Sequence, residues 1–322
     1  MRFATIGTSW ITEAFISAAK KQGWELAGVY SRDRDRAEAF RLKHGAGAAF
    51  HSLETLACSD AFETVYVASP NAMHFDQCLA LIRAGKHVFC EKPMTTTGAE
   101  AQTLFAEAES RGVLAAEAIM SVHTPAFRAL REAIGQIGAI AGANFVFWQR
   151  SSKYDAFCAG KNPNIFNPAL HTGSLMDIGV YAVYLAAALF GRPEETLSVS
   201  HFLPGGSDGS GAALLRYDTF TASLTWSKTA QSTAPSEIAG DGGSITIESV
   251  SQLTGIDLHT PAGVRNLSPA ALDRDTVMGA ECAFFEEAVR LDGGEAYQKA
   301  KRLNLLVREL TDTIRCQNGF PF

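Results

Sequence analysis

A chain of 322 residues, 47% apolar and 19% charged, has the balance of an ordinary globular protein and the length for two domains. A net charge of −6 without a long basic run argues against nucleic-acid binding as the main function. Six cysteines at irregular spacings, none in a C-x-x-C pair, give no support to a zinc or redox motif and fit reduced thiols in the cytoplasm.

The chain opens on a strand-like run at 2–6, which leaves no room for a signal peptide. Further strand-like runs lie at 25–30, 64–68, 86–90 and 113–116, with helix-like runs at 13–22, 33–44, 73–84 and 99–110 between them. Gly45, Gly85 and Gly112 stand where helix C-caps are expected. This alternation predicts a parallel sheet with right-handed crossovers. The class is α/β, with an N-terminal Rossmann-type doubly wound sheet over 1–121 as the dinucleotide-binding domain.

The turns after the strands carry the cofactor signals. The first strand runs into Gly7-Thr8-Ser9-Trp10-Ile11-Thr12. A full dinucleotide fingerprint has glycine at three spaced positions, and here only Gly7 remains. Ser9 and Thr12 are small, and the following helix N-terminus offers N–H groups to a pyrophosphate. Gly7, Thr8, Ser9, Trp10 and Ile11 are therefore assigned to the cofactor. The second strand is followed by Ser31-Arg32, where an NAD site usually has an acid for the ribose. A hydroxyl and a guanidinium suit a 2′-phosphate, so NADP(H) is expected ahead of NAD(H). The alternative is a solvated Arg32 with Asp33 or Asp35 on the ribose. Ser69-Pro70-Asn71 forms the turn after 64–68, beside the cofactor. His74 belongs to the same surroundings as a helix-surface or capping residue, not a catalytic one.

The most informative run is His87-Val88-Phe89-Cys90-Glu91-Lys92-Pro93, an apolar strand that ends in a cation. The carboxyl end of a parallel strand faces the ligand crevice, which puts Glu91 and Lys92 there. The plain alternative for Lys92 is a snorkelling surface lysine.

Beyond about Ser121 the pattern changes, and 122–322 reads as a substrate-binding and oligomerisation α+β domain. A long strand at 144–150 is followed by a polar loop at 151–172 and an apolar helix at 177–190, judged too short to span a bilayer. Strands at 211–217, 220–227 and 244–248 follow, with Asp241-Gly242-Gly243 as a hairpin turn. Helices near 279–290 and 296–315 close the chain. Successive strands predict an open, mostly antiparallel sheet, whose free face suits a homodimer or homotetramer. Trp148, Lys153 and His171 are the expected substrate contacts, since the loop mixes donors and aromatics; a surface loop with scattered polar residues is the alternative.

These residues together resemble the glucose–fructose oxidoreductase / inositol dehydrogenase / rhizopine-catabolism family. The resemblance spans nearly the whole chain. It rests on Ile6-Gly7-Thr8, Ala68-Ser69-Pro70-Asn71-Ala72-Met73-His74, Cys90-Glu91-Lys92-Pro93, Glu117-Ala118-Ile119-Met120 and Gly173-Ser174-Leu175-Met176-Asp177-Ile178-Gly179-Val180-Tyr181. Tyr181, where many members have histidine, is similar to the tyrosine branch that includes dimeric dihydrodiol dehydrogenase. The resemblance implies an NAD(P)-dependent oxidoreductase acting on a sugar, polyol or vicinal diol, with Lys92 and Tyr181 as the catalytic pair. Two departures stand out: the reduced glycine turn, and His171-Thr172-Gly173 where members often have a run of glycines.

The chemistry suits these residue types. A free tyrosine has a pKa of about 10 and is a poor base near neutrality, but a nearby ammonium favours the phenolate. Asp177 and Tyr181 are spaced i, i+4, which places them on one helix face. Asp177 then binds a substrate hydroxyl or positions Lys92, and no metal is required. Spacing alone also allows Tyr181 to be a core tyrosine and Asp177 a first-turn acid. Two other classes share the fold: a nucleotide- or sugar-binding regulatory protein without chemistry, and an NAD-assisted glycosidase.

Overall fold

The computed structural model describes residues 1–268 and 273–322. The chain divides into two compact units, one formed by Met1–Met120 with Asp273–Leu305, the other by Ser121–Leu272 with Leu306–Phe322.

The first unit alternates strand and helix: β1 (Arg2–Ile6), α1 (Trp10–Lys21), β2 (Glu25–Tyr30), α2 (Arg34–His44), β3 (Ala48–Phe50), α3 (Leu53–Ala57), β4 (Thr64–Val67), α4 (His74–Arg83), β5 (His87–Glu91), α5 (Gly98–Arg111) and β6 (Ala115–Ala118). The sheet order is β3-β2-β1-β4-β5-β6, all parallel, as expected for a doubly wound fold. Local signals set these boundaries. Asp33 caps α2 through Arg36 N–H, Thr97 and Glu100 form a capping box on α5, and Gly45 and Gly112 close their helices in the left-handed region. Sequence pattern missed β3, a three-residue edge strand too short to show a period.

Strand side chains alternate between two cores. Ala4, Val65 and Val88 face Leu81, Leu104 and Phe105 of α4 and α5. Phe3, Tyr66 and Phe89 face Phe15 of α1 and, from near the C-terminus, Met278, Cys282 and Phe285. The last three lie on α9 (Arg274–Arg290), whose Phe285 ring stacks on Phe89 at 4.6 Å. The division expected at 121/122 therefore fails for 273–305, which returns to the first unit. Burying side chains of this size contributes about 1.5–3 kcal/mol each, and only the folded sheet offers that surface.

The second unit holds α6 (Pro125–Ile134), β7 (Ile140–Trp148), α7 (Tyr154–Cys158), α8 (Val180–Phe190), β8 (Glu195–Phe202), β9 (Asp208–Arg216), β10 (Thr221–Ser227), β11 (Ser236–Gly240), β12 (Gly243–Ser249), β13 (Thr254–Thr260) and β14 (Gly263–Asn266). Helix α10 (Gly294–Asn318) begins in the first unit and ends in the second. The sheet order is β14-β13-β12-β11-β7-β10-β9-β8, antiparallel throughout except for the parallel pair β7–β10. Gly240 pairs with Gly243, so Asp241-Gly242 forms the expected hairpin turn. One face carries the core, with Phe145, Leu224, Trp226 and Ile245 fully buried.

The apolar stretch through α8 is longer than it reads: 168–190 covers 23 residues, enough to cross a bilayer by length, but 78% of its most apolar window is buried inside the protein. That is the pattern of a core helix.

Candidate active site

In the first unit, the strand ends set one crevice edge. Ile6, Val67 and Cys90 stand level across β1, β4 and β5, so Gly7, Ala68 and Glu91 follow at the same height. Gly7 has φ +108°, and a Cβ on it would lie 2.5 Å from the Ala68 carbonyl oxygen. Glycine is therefore required, and the backbone lies open to a ligand at the switch point between β1 and β4. Ser9 caps α1 without a side-chain bond, its hydroxyl 3.5 Å from that of Thr12. The first N–H groups of α1 have no partner within the helix and form an anion-binding end. These features fit a dinucleotide pyrophosphate. Trp10 is 63% exposed, and the Arg274 guanidinium lies 4.6 Å from its ring centre. Arg274 was not legible as part of this edge, because it arrives with α9.

At the end of β2, the Ser31 hydroxyl accepts from Asp33 N–H at 3.3 Å, while Asp33 is occupied as the α2 cap at 3.0 Å from Arg36 N. Among the described residues the Arg32 side chain has no partner. Of the two acids that compete for the ribose role, Asp33 is engaged through Oδ1 as the cap and Asp35 lies in the first turn of α2, while the guanidinium is available.

His74 is not a surface or capping residue. It is buried, with Nδ1 2.8 Å from the Pro93 carbonyl and Nε2 2.7 Å from the Ser69 carbonyl. Burial lowers its pKa, against the upward pull of the two carbonyls. A neutral ring carries one proton, so it serves one carbonyl at a time. It joins the turn after β4 to the turn after β5. The Ser69 hydroxyl donates to Gln77 at 2.7 Å, which holds the Ser69-Pro70-Asn71 turn against α4.

Glu91 accepts from the Tyr66 hydroxyl and, at 3.2 Å, from the Lys92 N–H. Burial raises its pKa, countered by the Tyr66 bond and the Lys92 charge. In the same unit Glu281 of α9 is fully buried, and its carboxyl oxygens find no partner among the described residues. Burial, and after it the charge of Glu91, push the Glu281 carboxyl well above the usual carboxylate range. The loop after Pro93 is anchored by Glu117, which accepts from Met94 N–H at 3.0 Å and from the Asn304 amide at 2.6 Å.

In the second unit, Asp177 lies in a π-helical turn, 175–179, and Tyr181 one residue into α8. The regular helix expected at 177 is interrupted there. A Cβ on Gly179 would meet the Trp226 ring at 2.8 Å, so the D-x-G-x-Y glycine lets a strand indole lie against the turn. Such π turns often accompany functional sites. Tyr181 is buried and meets Phe147 edge to face, with centroids 5.9 Å apart.

Asp208 secures the start of this segment. It is buried, and its Oδ2 accepts from the Ser174 hydroxyl at 2.5 Å and the Leu175 N–H at 2.7 Å. Burial raises its pKa from 3.8 to about 6, against those bonds. A carboxyl raised on folding adds stability below its unfolded pKa and loses it as pH climbs through the folded value. Asp208→Asn should therefore gain on the wild type by up to about 3 kcal/mol between about pH 4 and 6. Melting temperatures of the two across that range check this, and a constant difference would count against it.

The expected substrate contacts separate. Trp148 is one residue beyond Phe147, and strand alternation turns it to the face opposite Tyr181, with Val146 and Asn144. Phe147, not Trp148, is the strand residue at Tyr181. Lys153 is exposed at the start of α7, its N–H 3.2 Å from the Ser151 hydroxyl. His171 adopts φ 53° and stacks on Phe322 at 4.9 Å, three residues before Ser174. Lys228, after β10, pairs with Asp177, a partner that sequence reading did not provide.

A family model described as "Oxidoreductase family, NAD-binding Rossmann fold" matches residues 1–119, and one described as "GFO/IDH/MocA C-terminal domain" matches 127–246. The chain is 37% identical, over all of its length and 98% of the relative's, to scyllo-inositol 2-dehydrogenase (NADP(+)) IolU of Bacillus subtilis. It is 31% identical to trans-1,2-dihydrobenzene-1,2-diol dehydrogenase of Mus musculus over 70% of this chain and 69% of that one. Among solved structures, the 3-ketoreductase KijD10 of Actinomadura kijaniata with NADP and TDP-benzene superposes with a TM-score of 0.84, at 26% identity, covering 99% and 98% of the two chains.

Proposed function

The chain belongs to the glucose–fructose oxidoreductase / inositol dehydrogenase / rhizopine-catabolism (GFO/IDH/MocA) family of oxidoreductases, and from that premise we propose that it transfers a hydride between NADP(H) and the carbinol or carbonyl carbon of a polyol, sugar or vicinal diol. The observation that carries this reading is the parallel-sheet edge lined by Gly7, Ser69 and Lys92, in a chain that also sets Asp177 and Tyr181 on one short segment. NADP(H) is preferred over NAD(H) because the Arg32 guanidinium is without a partner among the described residues and follows β2 directly, while Asp33 caps α2 through Oδ1.

Gly7, Thr8, Ser9, Trp10 and Ile11 hold the pyrophosphate, and Ser31 and Arg32 the 2′-phosphate. Ser69, Pro70, Asn71, Glu91 and Lys92 line the nicotinamide side, with His74 holding their two turns together. When bound, the cofactor supplies the hydride chemistry. Tyr181 takes the substrate hydroxyl proton in oxidation and returns it in reduction. Lys92 is the ammonium that favours its phenolate, and Asp177 accepts a hydrogen bond from a substrate hydroxyl. All six cysteines are free, which suits the cytoplasm.

The test is NADPH formation from NADP+ with scyllo-inositol, pentoses and trans-1,2-diols. Turnover of at least one class is expected. Cofactor binding without turnover across the panel would instead favour a regulatory binding protein.

We also propose that two copies meet through the open sheet face. Leu197 and Leu214 are cross-strand neighbours on β8 and β9, and with Val199 they are 54%, 48% and 66% exposed. Adjacent apolar side chains on a sheet face are a surface that a second copy covers by two-fold symmetry. Val199→Lys with Leu214→Lys should bring the mass in light scattering down to the 34.5 kDa of one chain. A wild type already at that mass would end the proposal.

A further inference from the structure

Lys228 follows the last residue of β10 and is 7% exposed. Its ammonium donates to Asp177 Oδ2. Its backbone is held on both sides: its N–H donates to the Gly209 carbonyl, and its carbonyl accepts from Ser151 N–H, each at 2.9 Å. Just before it, the Ser227 hydroxyl accepts from Thr229 N–H and Ala230 N–H at 3.2 and 3.3 Å, which turns the chain away directly after Lys228.

Stability does not account for this arrangement. Desolvating an ammonium is costly, and a buried ion pair is often matched or bettered by apolar side chains of similar volume. The acid it holds is that of the D-x-G-x-Y segment. The Lys228 side chain is 9% exposed and that of Asp177 28%, so the ammonium backs the carboxylate from the protein side. The carboxylate therefore keeps the more open approach, and it is the group able to meet a ligand.

We propose that Lys228 is a positioning residue for the reaction: it pairs with Asp177 and fixes its direction, so that the carboxylate accepts a hydrogen bond from a hydroxyl of a polyhydroxylated substrate. The proposal rests on the oxidoreductase reading above and deepens it. An ionised carboxylate is acceptor-only, so the selected substrate class presents a hydroxyl donor beside the reacting carbinol. Lys228 acts through Asp177 and does not itself touch the substrate.

A double-mutant cycle in kinetics with NADP+ and scyllo-inositol tests this, using wild type, Lys228→Met, Asp177→Asn and the double variant. Lys228→Met should lower kcat/KM about 10–100-fold, the range of one charge-assisted hydrogen bond, with most of the loss in KM. In the Asp177→Asn background the same change should add less than about twofold, because a residue acting through its neighbour has nothing left to position. NADPH affinity should be unchanged. Losses that multiply in the double variant, or a Lys228→Met enzyme with wild-type KM, would overturn the proposal. Should Lys228→Met lose its cooperative melting transition, Lys228→Gln, which keeps a donor without the charge, is read the same way. Failure of the oxidoreductase reading is distinguishable: the wild type itself would then be inert on every polyol, sugar and diol, and this proposal would fall with it.

Discussion

Tyr181→Phe should lower kcat by 100-fold or more while leaving NADPH affinity within about twofold, since general acid–base groups supply about 100- to 10,000-fold. The substitution removes one oxygen and keeps the ring. The edge-to-face contact with Phe147 and the burial of the ring survive, so folding is little disturbed. A core tyrosine and a catalytic one therefore part ways in this variant. A core tyrosine would cost at most a hydrogen bond, about 0.5–1.5 kcal/mol of stability, with turnover intact. A variant retaining more than about a tenth of the wild-type rate would fit the core role.

Arg32→Ala should weaken NADPH about 10–100-fold and leave NADH nearly unchanged, because only NADPH carries the 2′-phosphate and a charge-assisted contact is worth about 1.5–3 kcal/mol. Parallel fluorescence titrations of both cofactors measure it. The structure sharpens the expectation because Asp33, one of the two rival acids, uses Oδ1 to cap α2. Equal losses for both cofactors would show that Arg32 supports the turn instead of reading the phosphate. A wild type that binds NADH more tightly than NADPH would reverse the assignment of Ser31 and Arg32.

The Rossmann series was legible because each of its parts is coded locally. Apolar runs flank helices whose caps lie within three residues, as with Thr97 and Glu100 or Asp33 and Arg36. The hairpin at Asp241-Gly242 is of the same kind, since two residues decide it. Of the candidate site, residue identities were legible in Gly7, Arg32, Lys92, Asp177 and Tyr181. Their surroundings were not. His74 reads as the start of a helix, yet its ring is buried between two carbonyls, 5 and 19 positions away in sequence. Trp148 is expected at the substrate from a loop that mixes donors and aromatics; its place on the strand face of Asn144 and Val146, opposite Phe147, depends on pairing that the sequence does not show.

Sequence alone determined the class of this protein. It specified a parallel α/β unit, a second unit built on a mostly antiparallel sheet, a cofactor edge at the first strand turns, and the two short motifs around Lys92 and Tyr181. All of these rest on periods, caps and turns spanning fewer than about 20 residues. Tertiary structure alone decided that α9 closes the first unit, where Phe285 meets Phe89. It alone set the π turn, shaped by Trp226 against Gly179, and the pairing of Asp177 with Lys228, 51 positions apart. The physical reason is the same in each case. Whether a charge is paired, a ring is stacked or a helix is interrupted depends on which distant surface excludes water from it, and that surface exists only once the chain has folded.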